Sequence, residues 1–568
     1  MTSVVKSDQF LLETKKQEAV ALLHAQRFSD ALDRLTWICE HDPDDYESWF
    51  NLGAINGKLG MFAAAETAFL KALALRSSDP QIYINLARLC DLQGRFDEEL
   101  VYCQRFLQLM PNDGAAYSQT GKIQYRLGRL AEAEQALREA WRCAPDNAAY
   151  VNNLGIVLDD LGYYDDALEC YKNALRLDPL MDSAYCNLGK LYQKNSALEE
   201  AEAAYLSALK INPQNSDVQQ NLGVLLLGLG RNDEAMRCFN EKIKADPECA
   251  EAHWNRALLL LAAGDFSNGW QEYEWRFKCN ELMSPSLENR YSSTTLWDGS
   301  VLTNQTLLIY VEQGFGDTLQ FCRYLPLVMQ RVKHLVFECQ PELFTLLSNV
   351  FKDIKCIQRT AGSALPDLNY DLQAPLLTLP RLLNTTLESI PIEIPYIYAD
   401  PLLVERWSQR MSKDSFNVGI VWAGNQNYKG DKERSLSLAA IERLSEVNRQ
   451  VCFYSLQKER GAEVLTSASS IRLIDLAPEL DSFATTAAVI KNLDLVITVD
   501  TAVAHLAGAM GKPVWTLIYS PSDWRWLLDR NDSPWYPTMR LFRQLKVGEW
   551  GEVIECVAKA LSVEVLHR

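Results

Sequence analysis

Residues 153–162 read NLGIVLDDLG. The apolar positions of this stretch follow helical spacing, and Gly162 at its end can take the left-handed conformation that closes a helix. The same pattern returns every 34 residues through the first half of the chain. A repeat of that length is one structural unit that stacks on its neighbours, so this stretch decides the fold of the first half.

Four kinds of residue share the 34-residue period. The asparagines are Asn51, Asn85, Asn153, Asn187, Asn221 and Asn255, with Gln119 in the remaining position. Glycine recurs from Gly60 to Gly264 with Ser196 as the exception, proline recurs from Pro43 to Pro247 with Ser77 as the exception, and alanine recurs from Ala31 to Ala235 with Glu99 as the exception. The unit is therefore predicted to be a helix, a glycine-centred turn, a second helix and a proline that leads into the next unit.

The period and these positions resemble the tetratricopeptide repeat, with about seven or eight copies over residues 10–281. The resemblance implies an all-α superhelix of helix pairs with a concave groove that binds a protein partner. Three asparagines, Asn153, Asn187 and Asn221, are candidates for binding the backbone of an acceptor peptide. Their other interpretation is structural, as hydrogen bonds between helices.

The last repeat is unusually aromatic, since residues 264–276 read GDFSNGWQEYEWR. A terminal repeat needs a different outer face because no further repeat stacks on it. Trp270, Tyr273 and Trp275 are therefore predicted to form an apolar seam with the next domain. A sugar-binding platform is the less favoured interpretation.

After Pro285 the helical pattern ends, and short β-rich runs alternate with helical segments. The runs of the first series are 306–311, 334–339, 354–358 and 370–373, and those of the second are 417–422, 451–456, 471–476, 493–499 and 513–519. A proline-rich stretch separates the two series. This organisation predicts two doubly wound α/β domains, at 297–400 and 415–564, each with a parallel sheet whose ligands lie beyond the carboxyl ends of the strands.

One candidate motif follows the first strand, where residues 312–320 read EQGFGDTLQ. Gly314 and Gly316 allow a tight turn and leave room for a ligand, and Asp317 stands at the start of the next helix. The motif is neither a dinucleotide fingerprint nor a P-loop, because position 319 is Leu and no Gly-Lys-Ser/Thr follows. Asp317 is therefore a helix cap or a catalytic carboxylate on spacing alone.

The second motif follows a strand of the later series, where residues 499–513 read VDTAVAHLAGAMGKP. Asp500 and Thr501 end the strand, and small residues open a helix. The free N–H groups at such a helix start favour a diphosphate. His505 lies about one turn into the helix and is a candidate ligand contact, although a lone helical histidine is more often a packed residue.

Together the two motifs resemble the heptosyltransferase-like glycosyltransferases, a GT-B family, and the whole arrangement resembles bacterial proteins that join tetratricopeptide repeats to such a domain. Residues 297–299 (WDG), 523–526 (DWRW) and 535–537 (WYP) support the match. The resemblance implies a nucleotide-diphosphate sugar as donor, bound mainly by the C-terminal of two Rossmann-like domains. It also implies an acceptor on the N-terminal side, and neither a cofactor nor a catalytic metal.

Site residues follow from this resemblance position by position. Asp317 matches the proposed general base, and Gly314 and Gly316 shape the turn before it. Asp500, Thr501 and His505 match the diphosphate-binding turn. Gln426 and Lys429 resemble a short donor-binding stretch of O-linked N-acetylglucosamine transferases, and Arg434 is a further candidate cation for the departing diphosphate. The alternative for Lys429 and Arg434 is a solvated run of charges.

Composition excludes several classes of protein. Lys and Arg number 56 against 74 Asp and Glu, for a net charge of −18, which disfavours a general nucleic-acid binder. The longest apolar stretch, 222–229, is too short to span a membrane, and Met1 to Gln17 has no apolar core of signal-peptide length. Fourteen scattered cysteines without a C-x-x-C pair, and only six histidines, indicate reduced thiols rather than disulfides or a zinc site. We therefore expect a cytoplasmic protein.

The leading functional hypothesis is a protein glycosyltransferase whose repeats hold a polypeptide acceptor. A second hypothesis keeps the chemistry but makes the acceptor a cell-surface polysaccharide or lipopolysaccharide. A third is a non-catalytic repeat scaffold whose transferase-like domain binds a nucleotide sugar or nothing.

Overall fold

A computed structural model describes residues 2–279, 295–312, 314–360, 369–426, 430–446, 450–458 and 473–566. The chain divides into two compact units, Met1–Asn221 and Leu222–Arg568. The first unit consists of the greater part of the repeat region. The second contains the last repeats and both sheets.

The helices of the repeat region follow one another in pairs, as the 34-residue unit predicts. They are α1 (Thr2–His24), α2 (Phe28–His41), α3 (Tyr46–Lys58), α4 (Phe62–Leu75), α5 (Pro80–Leu92), α6 (Phe96–Leu109), α7 (Gly114–Arg126), α8 (Leu130–Cys143), α9 (Ala148–Asp160), α10 (Tyr164–Leu177), α11 (Asp182–Lys194), α12 (Leu198–Ile211), α13 (Ser216–Gly228), α14 (Asn232–Ala245), α15 (Ala250–Ala262) and α16 (Phe266–Tyr273).

The periodic glycines close the first helix of each pair. All six, from Gly60 to Gly264, have φ between +68° and +84°. Ser196, the exception in the sequence pattern, takes the same left-handed conformation with φ at +61°. The backbone geometry of the turn is therefore constant, and serine occupies it at some conformational cost.

Two other exceptions to the repeat pattern compensate for each other. Glu99, at a position that elsewhere holds alanine, is only 1% exposed. Gln119, at the position that elsewhere holds asparagine, donates a hydrogen bond from Nε2 to Glu99 Oε1 at 2.7 Å. Burial raises the pKa of Glu99, and the bond from Gln119 opposes that rise. The unusual acid is thus accommodated by the unusual amide of the next helix.

Close packing within a repeat requires glycine at position 189. A Cβ there would lie 2.5 Å from Tyr205 Cε1, and the Tyr205 ring is fully buried with its hydroxyl bonded to Gln193. We expect Gly189→Ala to lower the free energy of unfolding, because overpacking costs about 1–3 kcal/mol whereas the gain in helix propensity is about 1 kcal/mol. Urea unfolding followed by circular dichroism measures the difference. Gly57→Ala is the matched control, since its Cβ would meet Leu89 at an ordinary 3.7 Å and a loss of stability there equal to that at position 189 would contradict this explanation.

The first sheet of the second unit is parallel and has the order β3-β2-β1-β4. Its strands are β1 (Leu302–Tyr310), β2 (Val332–Cys339), β3 (Lys355–Gln358) and β4 (Leu372–Pro375), and its helices are α17 (Phe315–Phe321), α18 (Leu325–Met329), α19 (Pro341–Val350), α20 (Leu379–Leu382) and α21 (Pro401–Ser408). Strands β2 and β3 lie on one side of β1, and β4 pairs with its other side. The loop after β1 therefore lies where the strand order reverses.

The second sheet is also parallel and has the order β10-β9-β8-β5-β6-β7. Its strands are β5 (Phe416–Val421), β6 (Val451–Ser455), β7 (Leu473–Asp475), β8 (Leu495–Val499), β9 (Val514–Ile518) and β10 (Met539–Arg543), and its helices are α22 (Asp431–Arg434), α23 (Leu438–Glu442), α24 (Phe483–Lys491), α25 (Ala502–Ala509) and α26 (Gly551–Leu566). Here the order reverses between β5 and β8. In a doubly wound sheet of this order, ligands bind at the carboxyl ends of those two strands.

Nine of the ten strands described agree with the predicted series within a few residues, whereas β10 (Met539–Arg543) was not predicted. Among the nine, the largest difference is β1, which starts at Leu302 rather than at residue 306. Its first residues are mostly exposed and polar, so they carry no apolar signal. The fold is thus an all-helical repeat region followed by two parallel α/β sheets, as predicted. Among the described residues, no helix is both long and apolar enough to cross a bilayer.

Candidate active site

The two strand-end motifs of the second unit lie against each other. Helix α17, which follows β1, packs on α25, which follows β8. A Cβ on Gly316 would lie 3.0 Å from His505 Cδ2 and 3.8 Å from Ala502 Cα. Glycine at position 316 therefore permits the close approach of the two sheets at their carboxyl ends.

Asp317 is both a cap and an ion-pair partner. Its Oδ2 accepts a hydrogen bond from the Gly314 N–H at 3.2 Å, and its Oδ1 lies 2.5 Å from Arg525 Nη2. The side chain is 15% exposed. Burial raises the pKa of the Asp317 carboxyl, and the Arg525 guanidinium opposes that rise. The cap and catalytic interpretations are therefore compatible, because one oxygen serves the turn and the other faces the second sheet.

Arg525 is the cation that joins the two motifs. Besides Asp317 it binds both oxygens of Asp523 through Nη1, at 2.9 and 3.1 Å, and Gln320 Oε1 through Nε at 2.9 Å. Its guanidinium lies 4.4 Å from the ring centroid of Trp524, and the residue is 9% exposed. The Arg525 guanidinium is held by partners on three sides, so its orientation is fixed, and it stays positively charged.

Asp500 and Thr501 directly follow β8, at the point where the strand order reverses. Arg434, the last residue of the short helix α22 after β5, donates from Nη1 to the Asp500 carbonyl at 3.2 Å and from Nε to Asp431 at 3.2 Å. A Cβ on Gly424 would lie 2.2 Å from Arg434 Nη2, so glycine leaves the space that this guanidinium occupies. Arg434 thus bridges the two loops that flank the predicted diphosphate position, beside the N-terminus of α25.

The pKa of Asp500 is raised to about 6, by burial and by the neighbouring Asp523. A carboxylate at this position would repel a diphosphate, whereas its neutral form would not. The site therefore has groups of both signs close to the start of α25, with Arg434 and Arg525 as the cations.

His505 is packed rather than open to solvent. It is 4% exposed, its Nδ1 lies 2.9 Å from the Tyr536 hydroxyl, and its ring stacks on Trp526 with centroids 5.3 Å apart. Burial, with the charges of Arg525 and Arg323, lowers its pKa well below the ordinary value. The imidazole is therefore neutral at physiological pH, and its contact with a ligand would have to come from the ring edge that faces Gly316.

The remaining sequence candidates lie apart from this centre or outside the described residues. Gln426 is exposed on the loop after β5, and Lys429 lies outside the described residues. Among the proposed groove asparagines, Asn187 donates to Asn152 Oδ1 at 3.1 Å and Asn221 donates to Cys186 Sγ at 3.4 Å. Asn153 is half-buried. At least two of the three therefore have the structural role that the sequence left open.

Of the three aromatic residues predicted to form a seam between the last repeat and the next domain, Trp270 and Tyr273 do so and Trp275 does not. Trp270 and Tyr273 are almost fully buried, and Trp524 packs edge-on against both, at centroid distances of 5.3 and 5.9 Å. Trp275 instead stacks on His253 at 3.9 Å. Two of the three thus connect the last repeat with the transferase-like region.

Sequence reasoning missed the role of Arg525 and of a buried ion pair between Arg276 and Glu312. In the sequence, residues 523–526 support only the family resemblance, and Glu312 is only part of the turn before Asp317. No local signal marks either role, because the partners are 208 and 36 residues apart. Among the described residues, no group of His, Cys, Asp and Glu has the arrangement of a metal site.

Comparisons with known proteins identify repeats in the first part of the chain and a transferase family in its C-terminal part. The model of glycosyltransferase family 9 (heptosyltransferase) matches residues 438–532, a range that includes Asp500, His505 and Arg525. Models of the tetratricopeptide repeat match residues 56–114, 104–148, 160–196 and 194–259.

Individual relatives cover parts of the chain. Protein FlbA of Caulobacter vibrioides is 28% identical over 331 residues, which is 52% of each protein, so the chain spans about half the length of this curated relative. A tetratricopeptide repeat protein from Parabacteroides merdae is 17% identical over 44% of this chain and 98% of its own, with a TM-score of 0.37. Yeast Tom70 is 17% identical over 45% of this chain and 56% of its own, with a TM-score of 0.36. The family models thus match tetratricopeptide repeats in the first part of the chain and a glycosyltransferase family 9 (heptosyltransferase) domain in its C-terminal part.

Proposed function

We propose that this glycosyltransferase uses a nucleotide-diphosphate sugar as donor, without a catalytic metal, and modifies a protein acceptor held by the repeats. The observation that carries the proposal is the ion pair between Asp317 and Arg525, which places a carboxylate of the first sheet against a cation of the second. Asp317 lies in the loop at the strand-order reversal of the first sheet, and Arg525 lies in the segment that follows β9 of the second. Donor and acceptor would therefore meet at these two residues.

The donor diphosphate fits the reversal point of the second sheet. The N–H groups at the start of α25 and the guanidinium of Arg434 supply positive charge there. Charge on the leaving nucleoside diphosphate grows as its bond to the anomeric carbon breaks, and fixed cations stabilise that charge. Arg434 and Arg525 can fill the part that a metal ion plays in other transferases.

Asp317 fits the role of general base. In the transfer step the acceptor oxygen bonds to the anomeric carbon, the electron pair of the breaking bond stays on the diphosphate, and the proton of the acceptor passes to the Asp317 carboxylate. The acceptor hydroxyl must come within hydrogen-bond distance of that carboxylate. The Asp317 side chain is 15% exposed, which leaves its carboxylate open to such a hydroxyl.

Donor binding tests the first half of the proposal. We expect isothermal titration with nucleoside diphosphates and their sugars to give saturable binding that Arg434→Met weakens about 10- to 100-fold, since a hydrogen bond to a charged group contributes about 1.5–3 kcal/mol. Arg434→Lys should lose less, because it keeps the charge. Lys432→Met is the matched control, an exposed cation of the same short helix. A parent chain that binds none of these compounds would support the scaffold hypothesis instead.

The class of acceptor requires a second experiment. Labelled nucleotide sugars incubated with lysate and the full chain should label protein bands, and those bands should weaken when Asn153, the half-buried groove candidate, is replaced with Ala in a chain whose melting temperature is unchanged. A labelled lipid or polysaccharide as the sole product would exclude a protein acceptor and favour the cell-surface alternative.

A further inference from the structure

The end of the repeat region reaches the turn that carries Asp317 through one buried side chain. Arg276, in the 3-10 segment Glu274–Lys278, is only 1% exposed. Its Nε donates to Glu312 Oε1 at 3.0 Å and its Nη2 to Glu312 Oε2 at 3.2 Å. Its other bonds go to Thr378 Oγ1, the Tyr273 carbonyl and Glu274 Oε1, at 2.8–3.0 Å. Every nitrogen of the guanidinium is thus engaged, which fixes its plane.

Glu312 in turn connects two loops of the first sheet. It lies two residues after the end of β1 and two before Gly314. Its Oε2 also accepts a hydrogen bond from the Leu377 N–H at 3.2 Å, in the segment that follows β4. Strands β1 and β4 are neighbours across the reversal of strand order. The Glu312 carboxylate therefore holds both loops at the edge of the sheet where Asp317 lies.

The position of Asp317 depends on the same turn. Its Oδ2 is bonded to the Gly314 N–H, two residues after Glu312, so the position of the carboxylate depends on the backbone at Gly314. The last repeat also packs beside the other partner of Asp317, Arg525. Trp270 and Tyr273 contact Trp524, the residue before Arg525, and Trp270 contacts Phe321 at the end of α17 with centroids 6.1 Å apart.

We infer that Arg276 is a positioning residue for sugar transfer, and that the terminal helix pair of the repeats, residues 250–278, is a structural part of the active site. The inference rests on the proposed function of Asp317. It assigns the last repeat a task beyond acceptor binding, since this repeat sets the geometry of the general base. Misplacement of a reacting group by about 1 Å can slow a reaction about 100-fold.

Two variants of the full chain test this role. Arg276→Met combined with Glu312→Gln removes the pair without leaving a buried charge alone, and Arg276→Lys keeps the charge but loses the planar fork. We expect the double variant to lower kcat about 100-fold while the KM for the donor changes little, because the donor site lies on the second sheet. Arg276→Lys should recover part of kcat. Hydrogen exchange of the amides of Gly314–Thr318 should become faster in the double variant, while that of Ala502–Ala509 stays as in the parent.

The matched control is Arg256→Met, which breaks the 2.6 Å ion pair with Glu272 inside the same helix pair. It should leave kcat and the exchange of Gly314–Thr318 as in the parent. A double variant that transfers sugar at the parent rate, or that loses kcat, donor affinity and melting temperature together with no rescue by lysine, would overturn the positioning role. A parent chain without turnover would instead contradict the proposed function, and the inference would fall with it.

Discussion

Replacing Asp317 with Asn is expected to slow sugar transfer by about 10²–10⁴-fold, the usual contribution of a general base. Asparagine has nearly the same shape and can still accept a hydrogen bond from the Gly314 N–H. It cannot take the proton of the acceptor hydroxyl. The fold should be retained, because Arg525 keeps its two bonds to Asp523 when the pair with Asp317 is lost.

Single-turnover rates with saturating donor measure this effect separately from donor affinity. Titration with the nucleoside diphosphate should give the parent dissociation constant within a few-fold, because the proposed diphosphate contacts belong to the second sheet. Asp353→Asn, at an exposed position of the same domain, is the control and should transfer at the parent rate. Parent-like transfer by Asp317→Asn would remove the carboxylate from the mechanism.

The repeat region could be predicted almost completely from the sequence. Its signal is local and repeated, so that each copy supports the others even where one residue departs from the pattern. Ser196 shows this best, since the turn geometry is kept although glycine is missing. The pairing of Glu99 with Gln119 could not be predicted, because the two exceptions fall on different periodic positions and meet only through packing between helices.

The strand-end motifs of the site were visible in the sequence for a related reason. Gly314, Gly316 and Asp317 lie in the turn and helix start that follow the buried end of β1, and Asp500 and Thr501 follow β8 directly. A doubly wound fold brings such loops to one edge of its sheet, so their place follows from the fold class. His505 shows the limit of that reasoning, because the sequence indicates its helix but not the Tyr536 and Trp526 side chains that enclose it.

The ion pairs that connect the parts of the site left no local pattern. Arg525 is 208 residues from Asp317, and Arg276 is 36 residues from Glu312. Charged residues are common on surfaces, and only the structure shows that Arg276, Glu312 and Arg525 are buried and that the Asp317 side chain is 15% exposed. The effect of these pairs on the pKa and on the position of Asp317 can therefore be argued only once the fold is known.

Replacing Arg525 with Gln is expected to move the acid limb of the pH–rate profile to higher pH. Asp317 acts as a base only when it is ionised. Burial raises its pKa, the positive charge of Arg525 lowers it, and the negative charge of Asp523 raises it. Removal of Arg525 takes away the main opposing charge, so the pKa of Asp317 rises further. At a pH below the acid limb, kcat/KM of the variant should be lower than that of the parent by about tenfold for each pH unit by which the limb moves.

Two other titratable groups near Asp317 do not reverse the direction of this pKa shift. Tyr273 is buried, which raises the pKa of its hydroxyl, so it carries no charge in the working range, and His505 is neutral there because its pKa is lowered. The measurement is kcat/KM against pH for the parent and for Arg525→Gln, with Arg530→Gln as the control. Arg530 pairs with Asp532 on a more exposed part of the same segment, so its loss should leave the limb in place. An acid limb that stays in place, or moves to lower pH, in Arg525→Gln would show that the rate is controlled by a group other than Asp317. A shift to higher pH assigns the limb to a carboxyl that Arg525 stabilises, either Asp317 or Asp500, and the slow transfer expected of Asp317→Asn distinguishes the two.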